Sequence, residues 1–207
     1  MELEQQLMGS TPRRRLRRTR TSAALAAAGI VVVIATSGCT TSQGDQTDNK
    51  GYVSGDGSIT VIDAADRKQA PTLEGDKLGG GTLDTADYAG QVVVLNVWGA
   101  WCGECRAEAE DLVQASRTLA KDDVAFVGLD TRDRESLALS YVRRFDVSYP
   151  SLVDQDSKLL LKFYDVVSPN AIPSTLVIDA SGNLAAIING PTTSDTLVDL
   201  VRDVQKT

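Results

Sequence analysis

The run Gln91–Trp98, QVVVLNVW, is almost continuously β-branched, and Cys102 and Cys105 follow it at the mouth of a helical pattern. A short apolar run without alternation belongs in the middle of a sheet that is covered on both faces. The rest of the pattern supplies the covers. From about Gly103 the apolar residues Ala109, Leu112, Ala115 and Leu119 recur three or four apart, as on a helix with one buried side. VAFVGLD, Val124 to Asp130, reads as the next strand, and a helix with Leu137, Tyr141 and Phe145 on one face follows it. A shorter helical stretch, SKLLLKFYDV, precedes the strand STLVIDA. DASGN, Asp179 to Asn183, is a hairpin turn with Gly182 at the position that needs positive φ, and LAAIING is its partner strand. The last helix starts at Thr193 or Ser194 as N-cap and buries Leu197, Leu200, Val201 and Val204. SITVIDA and GTLDTADYAG read as short edge strands or turns. Strand, crossover helix and strand give a parallel pair, and a hairpin adds antiparallel strands. The expected fold is therefore α/β, a mixed central sheet with helices on both faces.

The chain has 207 residues, enough for one domain with appendages, and its appendage is N-terminal. Six arginines lie between Arg13 and Arg20, followed by a 13-residue apolar run from Ala23 to Ala35 and then by small residues. Charged, then apolar, then small is the order of an export signal, and the run is shorter than the ~20 residues that span a bilayer. Thr36-Ser37-Gly38-Cys39 resembles the lipobox of bacterial lipoproteins, with threonine where an aliphatic residue is usual. The three cysteines of the chain leave one beyond the Cys102/Cys105 pair, and lipidation of Cys39 gives it a use. Cleavage after Ala35-Thr36-Ser37 and an uncleaved anchor are the alternatives. Residues 1–39 are thus expected to be a signal or lipoprotein-type membrane anchor. The polar stretch 40–58 cannot bury enough apolar surface to fold and reads as a flexible tether, leaving 59–207 as the domain. Net charge is −7, and without the first 21 residues 15 cations face 26 anions, a balance of −11. Nucleic acid, whose phosphates require a basic face, is excluded as a partner.

A C-x-x-C pair behind a buried strand and at a helix start has a chemical reading. Cys102 lies where free N–H groups and the positive end of the helix dipole favour an anion, which lowers the pH at which its thiolate forms. It is the expected nucleophile. Cys105, within the first turn, can then attack the mixed disulfide that Cys102 makes with a substrate. Trp98 and Trp101 bracket the pair: Trp101 reads as a shield or a contact face for a partner protein, Trp98 as packing. A metal site is not expected, because the chain has no histidine and one other cysteine, far away. The missing histidine also removes a Cys–His dyad. An inert structural disulfide remains open, although so short a loop gains little from a cross-link.

VVVLNVWGAWCGECRAE together with AIPSTLVIDASGNL resembles the thioredoxin superfamily, and within it the extracytoplasmic, membrane-tethered TlpA/ResA-type thiol–disulfide oxidoreductases, over roughly residues 70 to 205. The resemblance implies a thioredoxin-like fold and makes Pro173 a cis-proline facing the disulfide, with Ile172 offering backbone to a substrate strand. It also makes Glu108 an acid that helps control cysteine protonation, against the plainer reading of a solvated glutamate in the first turns of a helix. Asn96 stands where thioredoxin has a buried aspartate, which favours the tethered branch. Glu104 departs from the family, which has proline before the second cysteine. Gly99 stands where peroxiredoxins need threonine, so peroxidase activity is disfavoured.

The resemblance implies an enzyme that exchanges disulfides with protein cysteines on the outer face of the bacterial cell membrane. Among the family's tasks, reduction of apocytochrome c in cytochrome c maturation is the expected one. Electrons would come from a membrane donor such as a CcdA-like or DsbD-like protein, with no cofactor. The alternative is a non-catalytic thioredoxin-like binding module with an idle disulfide.

Overall fold

The structure, a computed structural model, describes residues 58–207. The expected anchor, Cys39 and all of the tether but Ser58 lie outside the described residues. No helix among the described residues is long and apolar enough to cross a membrane.

Six strands form the main sheet: β1 (Ser58–Val61), β4 (Val92–Trp98), β5 (Val124–Thr131), β6 (Ser151–Asp154), β7 (Ser174–Ile178) and β8 (Leu184–Asn189). Their order is β1-β8-β7-β4-β5-β6, and β2 (Glu74–Asp76) with β3 (Thr82–Asp84) makes a separate ribbon. β4 and β5 run parallel, as do β5 and β6, while β7 is antiparallel to β4 and β8 to β7. The sheet is mixed, as expected. Every residue of β4 is buried, which explains a run in which neither face could be polar at low cost.

Alternate side chains of β4 go to opposite sides. Val92 and Val94 pack against Leu112 and Leu119, which belong to or cap α1 (Gly103–Thr118), and against Leu197, Leu200 and Val201 of α3 (Ser194–Gln205). Val93, Leu95 and Val97 pack with Val127, Leu129, Leu160 and Phe163. On that second face the helical cover is two 3-10 turns, Thr85–Tyr88, whose Tyr88 packs against the cluster, and Leu160–Phe163, into which the apolar stretch before β7 folds. Both oxygens of Asp154 accept backbone N–H groups at its start, from Leu159 and Leu160, at 2.9 Å each.

The sequence signals for turns and caps are realised. Asp179 Oδ1 accepts from Ser181 N at 3.0 Å and Asn183 N at 2.9 Å, and Gly182 has φ 84°. Thr193 caps α3, its hydroxyl accepting from Thr196 N at 3.3 Å.

Leu137 departs from expectation. It is 42% exposed on α2 (Glu135–Phe145), whose inward stripe is Ala138, Tyr141, Val142 and Phe145. Two successive steps of four residues drift around a helix, whereas a three and a four return to the same side.

Candidate active site

The loop from Gly99 to Trp101 leaves the buried end of β4, and Cys102 opens α1 as its N-cap. Cys102 Sγ accepts the N–H of Cys105 at 3.1 Å. A side chain in that position takes one of the four N–H groups that a helix start leaves unpaired. The two cysteines form a disulfide with Cα atoms 5.3 Å apart; Cys102 keeps 6% of its surface exposed and Cys105 none. Glu104 sits exposed in the first turn, and α1 still begins at Gly103.

The Ile172–Pro173 bond is cis, and the Ile172 carbonyl oxygen lies 3.9 Å from Cys102 Sγ. The structure thus brings together two segments 70 residues apart in the chain. The Pro173 carbonyl accepts from Gly190 N at 2.9 Å, fixing the bend to the end of β8.

Asp133 organises the loop before Cys102. Its Oδ2 accepts Ala100 N at 2.6 Å and its Oδ1 accepts Arg134 N at 2.7 Å, while Arg106 Nη1 donates to the Ala100 carbonyl at 2.8 Å. Trp101 is 48% exposed. Its Nε1 donates to the Thr131 carbonyl at 3.3 Å, and the Arg132 guanidinium lies 5.2 Å from the ring centre. The indole folds back over Gly99, where a Cβ would fall 2.6 Å from Trp101 Nε1. Only glycine admits that arrangement without displacing the ring. Trp98 is fully inside, stacked on Tyr141 at 4.3 Å between ring centres, as packing requires. The Tyr141 hydroxyl donates to the Cys105 carbonyl at 2.8 Å.

Glu108, one turn beyond Cys105, is not a solvated glutamate: 2% of it is exposed. Asn96 Nδ2 donates to Oε1 at 3.0 Å and Thr192 N donates to Oε2 at 3.1 Å. Asn96 Nδ2 also reaches Thr175 Oγ1 at 3.1 Å. Burial raises the carboxyl to about 8; the two hydrogen bonds oppose the rise, and the charges of Asp111 and Glu104 add to it. Asp130, beside Trp98 in the β4–β5 register, is also raised to about 8, by burial and by Asp133 and Asp154. Among the described residues no group of three or more metal-ligating side chains could hold a metal ion.

Cys102, Cys105, Glu108, Trp101, Ile172 and Pro173 therefore converge at one end of the sheet. Asp133, Thr175, Thr192, Tyr141 and Arg132 join them without having been singled out for the site. Only Tyr141 had a signal, as an apolar position on α2. The others act through contacts that span 31 to 84 residues of chain, for which one sequence holds no local pattern.

The AhpC/TSA family model matches residues 67–187. The chain is 25% identical over 137 residues to the thiol-disulfide oxidoreductase ResA of Bacillus thuringiensis subsp. konkukian, covering 66% of this chain and 77% of that one. A secreted thiol-disulfide isomerase from Corynebacterium glutamicum superposes with a TM-score of 0.68 and 30% identity, over 72% of this chain and 92% of that one. A DsbF homologue from Corynebacterium diphtheriae does so with a TM-score of 0.66 and 29% identity, over 70% and 92%. The fold is thioredoxin-like, the chain is an enzyme of the thiol–disulfide oxidoreductase class, and it belongs to the AhpC/TSA family.

Proposed function

We propose that the chain works outside the cytoplasm, tethered to the membrane by its N-terminal end, and reduces disulfides in protein substrates through Cys102 and Cys105. The observation that carries this reading is the position of Cys102 Sγ, at the N-terminus of α1 and 3.9 Å from the Ile172 carbonyl. There the helix start favours a thiolate, and the bend at Pro173 offers backbone beside it.

In the reducing direction the Cys102 thiolate attacks one sulfur of the substrate disulfide. A mixed disulfide forms, and one substrate sulfur leaves as a thiolate. Cys105 then loses its proton and attacks Cys102 Sγ, releasing the second substrate thiolate and closing the protein's own disulfide. Two electrons pass to the substrate, and the protons of the Cys102/Cys105 dithiol end on its two thiols. Glu108 lies three residues from Cys105, on the same side of α1, and is the buried base for the Cys105 proton. Trp101 and Ile172 form the walls of the approach to Cys102, and Pro173 sets the bend. The indole over Gly99 occupies the space a threonine would need, which supports thiol exchange over peroxide reduction.

The membrane-tethered, extracytoplasmic setting draws on the basic and apolar N-terminal pattern, with Cys39 as the lipid attachment, and on the secreted nature of the Corynebacterium glutamicum relative. The substrate class follows from the resemblance to the ResA type: apocytochrome c, whose cysteines must be reduced before haem attachment. A membrane donor of the CcdA-like or DsbD-like kind would restore the dithiol.

A Cys105→Ser variant of the full chain tests this reading. It is expected to accumulate mixed disulfides through Cys102, with c-type cytochrome apoproteins among the partners identified by mass spectrometry. Recovering nothing beyond what a Cys102→Ser/Cys105→Ser control yields would falsify it. The reduction potential is expected above about −300 mV, the region below which structural disulfides sit.

A further inference from the structure

Disulfide exchange needs two sulfurs, a helix start and a bend; it does not need the assembly that Arg132 makes at the rim. Arg132 has φ 54°, an uncommon left-handed conformation for a residue with a side chain, and its N–H donates to the Asp154 carbonyl at 3.2 Å. The guanidinium stands over the Trp101 ring, and its Nη1 donates to Asn170 Oδ1 at 3.4 Å. Trp101 immediately precedes Cys102, and Asn170 lies two residues before Ile172. Arg132 therefore bridges the two segments that flank Cys102 Sγ.

The guanidinium has donors to spare. It carries five N–H groups and makes one side-chain hydrogen bond among the described residues. Arg132 is exposed, and none of the five ion pairs among the described residues includes it. Both oxygens of neighbouring Asp133 are taken by backbone N–H groups. Arg106 and Arg134 are exposed nearby and also make no ion pair among the described residues, and Glu104 and Glu135 are exposed anions in the same segments. A chain otherwise rich in carboxylates thus presents unclaimed guanidinium N–H groups beside its disulfide.

We propose that Arg132 is a specificity-determining residue, which reads a carboxylate side chain next to the reactive cysteine of an extended polypeptide substrate. The proposal rests on Cys102 being the exchanging sulfur. A strand advances about 3.3 Å per residue, so a side chain one to three positions from the substrate cysteine comes level with Arg132. Planar donors suit a carboxylate, and stacking on an indole fixes their plane. The acidic body opposes an acidic substrate at long range, but salt screens that repulsion beyond about 8 to 10 Å. The preference is accordingly for the immediate neighbours of the cysteine and not for the net charge of the substrate.

Three peptides test it, identical except for Asp, Asn or Lys two residues from a single cysteine held as a mixed disulfide with 2-mercaptoethanol. The reduced full chain is mixed with each, and release of peptide thiol is followed by chromatography. The Asp peptide is expected to exceed the Lys peptide in the second-order rate constant of peptide-thiol release by about threefold to tenfold, the scale of a partly exposed charge-assisted pair. Arg132→Glu is expected to invert that order, and Arg132→Lys to keep its sign with a smaller ratio. A wild-type ratio near one, or an unchanged ratio in Arg132→Glu, would overturn the role of Arg132 and leave the Cys102 chemistry standing. No exchange with any of the three peptides overturns both. The wild-type ratio needs no substitution, so the test survives a variant that does not fold.

Discussion

Val92, Val93, Val94 and Leu95 at one end of β4, and Asn96, Val97 and Trp98 at the other, are equally buried, yet they keep different company. The first four meet aliphatic side chains almost everywhere: Leu112, Leu119, Leu197 and Leu200 on one face, Val127, Leu176 and Leu160 on the other. At the other end Asn96 donates to Glu108 and Thr175, Val97 lies opposite Ser174 and Trp98 opposite Asp130 in the strand registers. These four partners are polar and buried, although Val97 still touches the aliphatic cluster and Trp98 stacks on Tyr141. A buried polar group costs free energy unless it is hydrogen-bonded, so a core pays least for polar residues when they satisfy one another in one place. Asn96, Glu108 and Thr175 do so at the end of the sheet that carries the disulfide, whereas Asp130 Oδ1 is buried there without a hydrogen-bond partner among the described residues. The aliphatic half supplies stability, and the polar half holds groups whose protonation the chemistry can use.

The sharpest way to break this division is at the sulfur. Cys102→Ser should lower disulfide exchange by at least about 10³-fold, since no other thiolate is poised at the helix start, while the fold melts within a few degrees of the reduced wild type. Exchange surviving in that variant would move the chemistry elsewhere.

The next effect lies in the aliphatic half. Leu176→Ala on β7 removes a fully buried side chain opposite Leu95 and should cost about 2 to 5 kcal/mol in denaturant unfolding. The exchange rate per folded molecule should stay within about twofold, because Leu176 belongs to the aliphatic cluster and makes no hydrogen bond to the site. A large loss of rate at full folding would show that the halves are not separate.

Glu108→Gln probes the polar half by pH. Native Glu108, raised to about 8, keeps its proton in a range where the unfolded chain has released it near 4.5. Stability should therefore be greatest below about pH 4.5 as far as this group contributes, and fall as pH rises toward 8, then level. Asp130 adds a slope of the same sign from 3.8 to about 8. Chemical unfolding of the oxidised protein from pH 5 to 9 should show that decline, and Glu108→Gln should flatten part of it. The variant should also lose the limb near pH 8 in the pH profile of exchange. An unaltered profile would leave Glu108 as a clamp between α1 and the start of α3.

The smallest effect belongs to the surface. Arg117 and Asp146 pair with side chains 59% and 89% exposed, and Arg117→Ala should change stability by no more than about 1 kcal/mol, less at high salt.

What the sequence disclosed follows the same boundary between local and distant. The β-branched run of β4, the stripe of α1, the Asp179 turn and the Thr193 cap are local patterns, and each was legible. β6 was not, since Ser151–Asp154 has two polar ends and is a strand only because β5 lies beside it. Ala138 in place of Leu137 was hidden because helix phase depends on which ring it meets, here Trp98. At the site, the C-x-x-C spacing announced Cys102 and Cys105, and the resemblance supplied Pro173 and Glu108. The burial of Glu108 came only from Asn96 and Thr192, twelve and 84 residues away. Arg132 and Asp133 carry no sequence mark, because the contacts that tie them to the site are to an indole ring, an amide side chain and a backbone N–H in other segments.

Both sulfurs ride on the first turn of one helix, so opening and closing the bond exchanges electrons without repositioning a domain. Folding and reduction then form a closed thermodynamic cycle whose corners are the oxidised and reduced chains, each folded and unfolded. The gap between the two unfolding free energies equals the shift in potential that the fold imposes on the pair, about 30 mV for every 1.4 kcal/mol. Two melting experiments therefore measure how far this architecture has tuned its cysteines away from those of a loose chain.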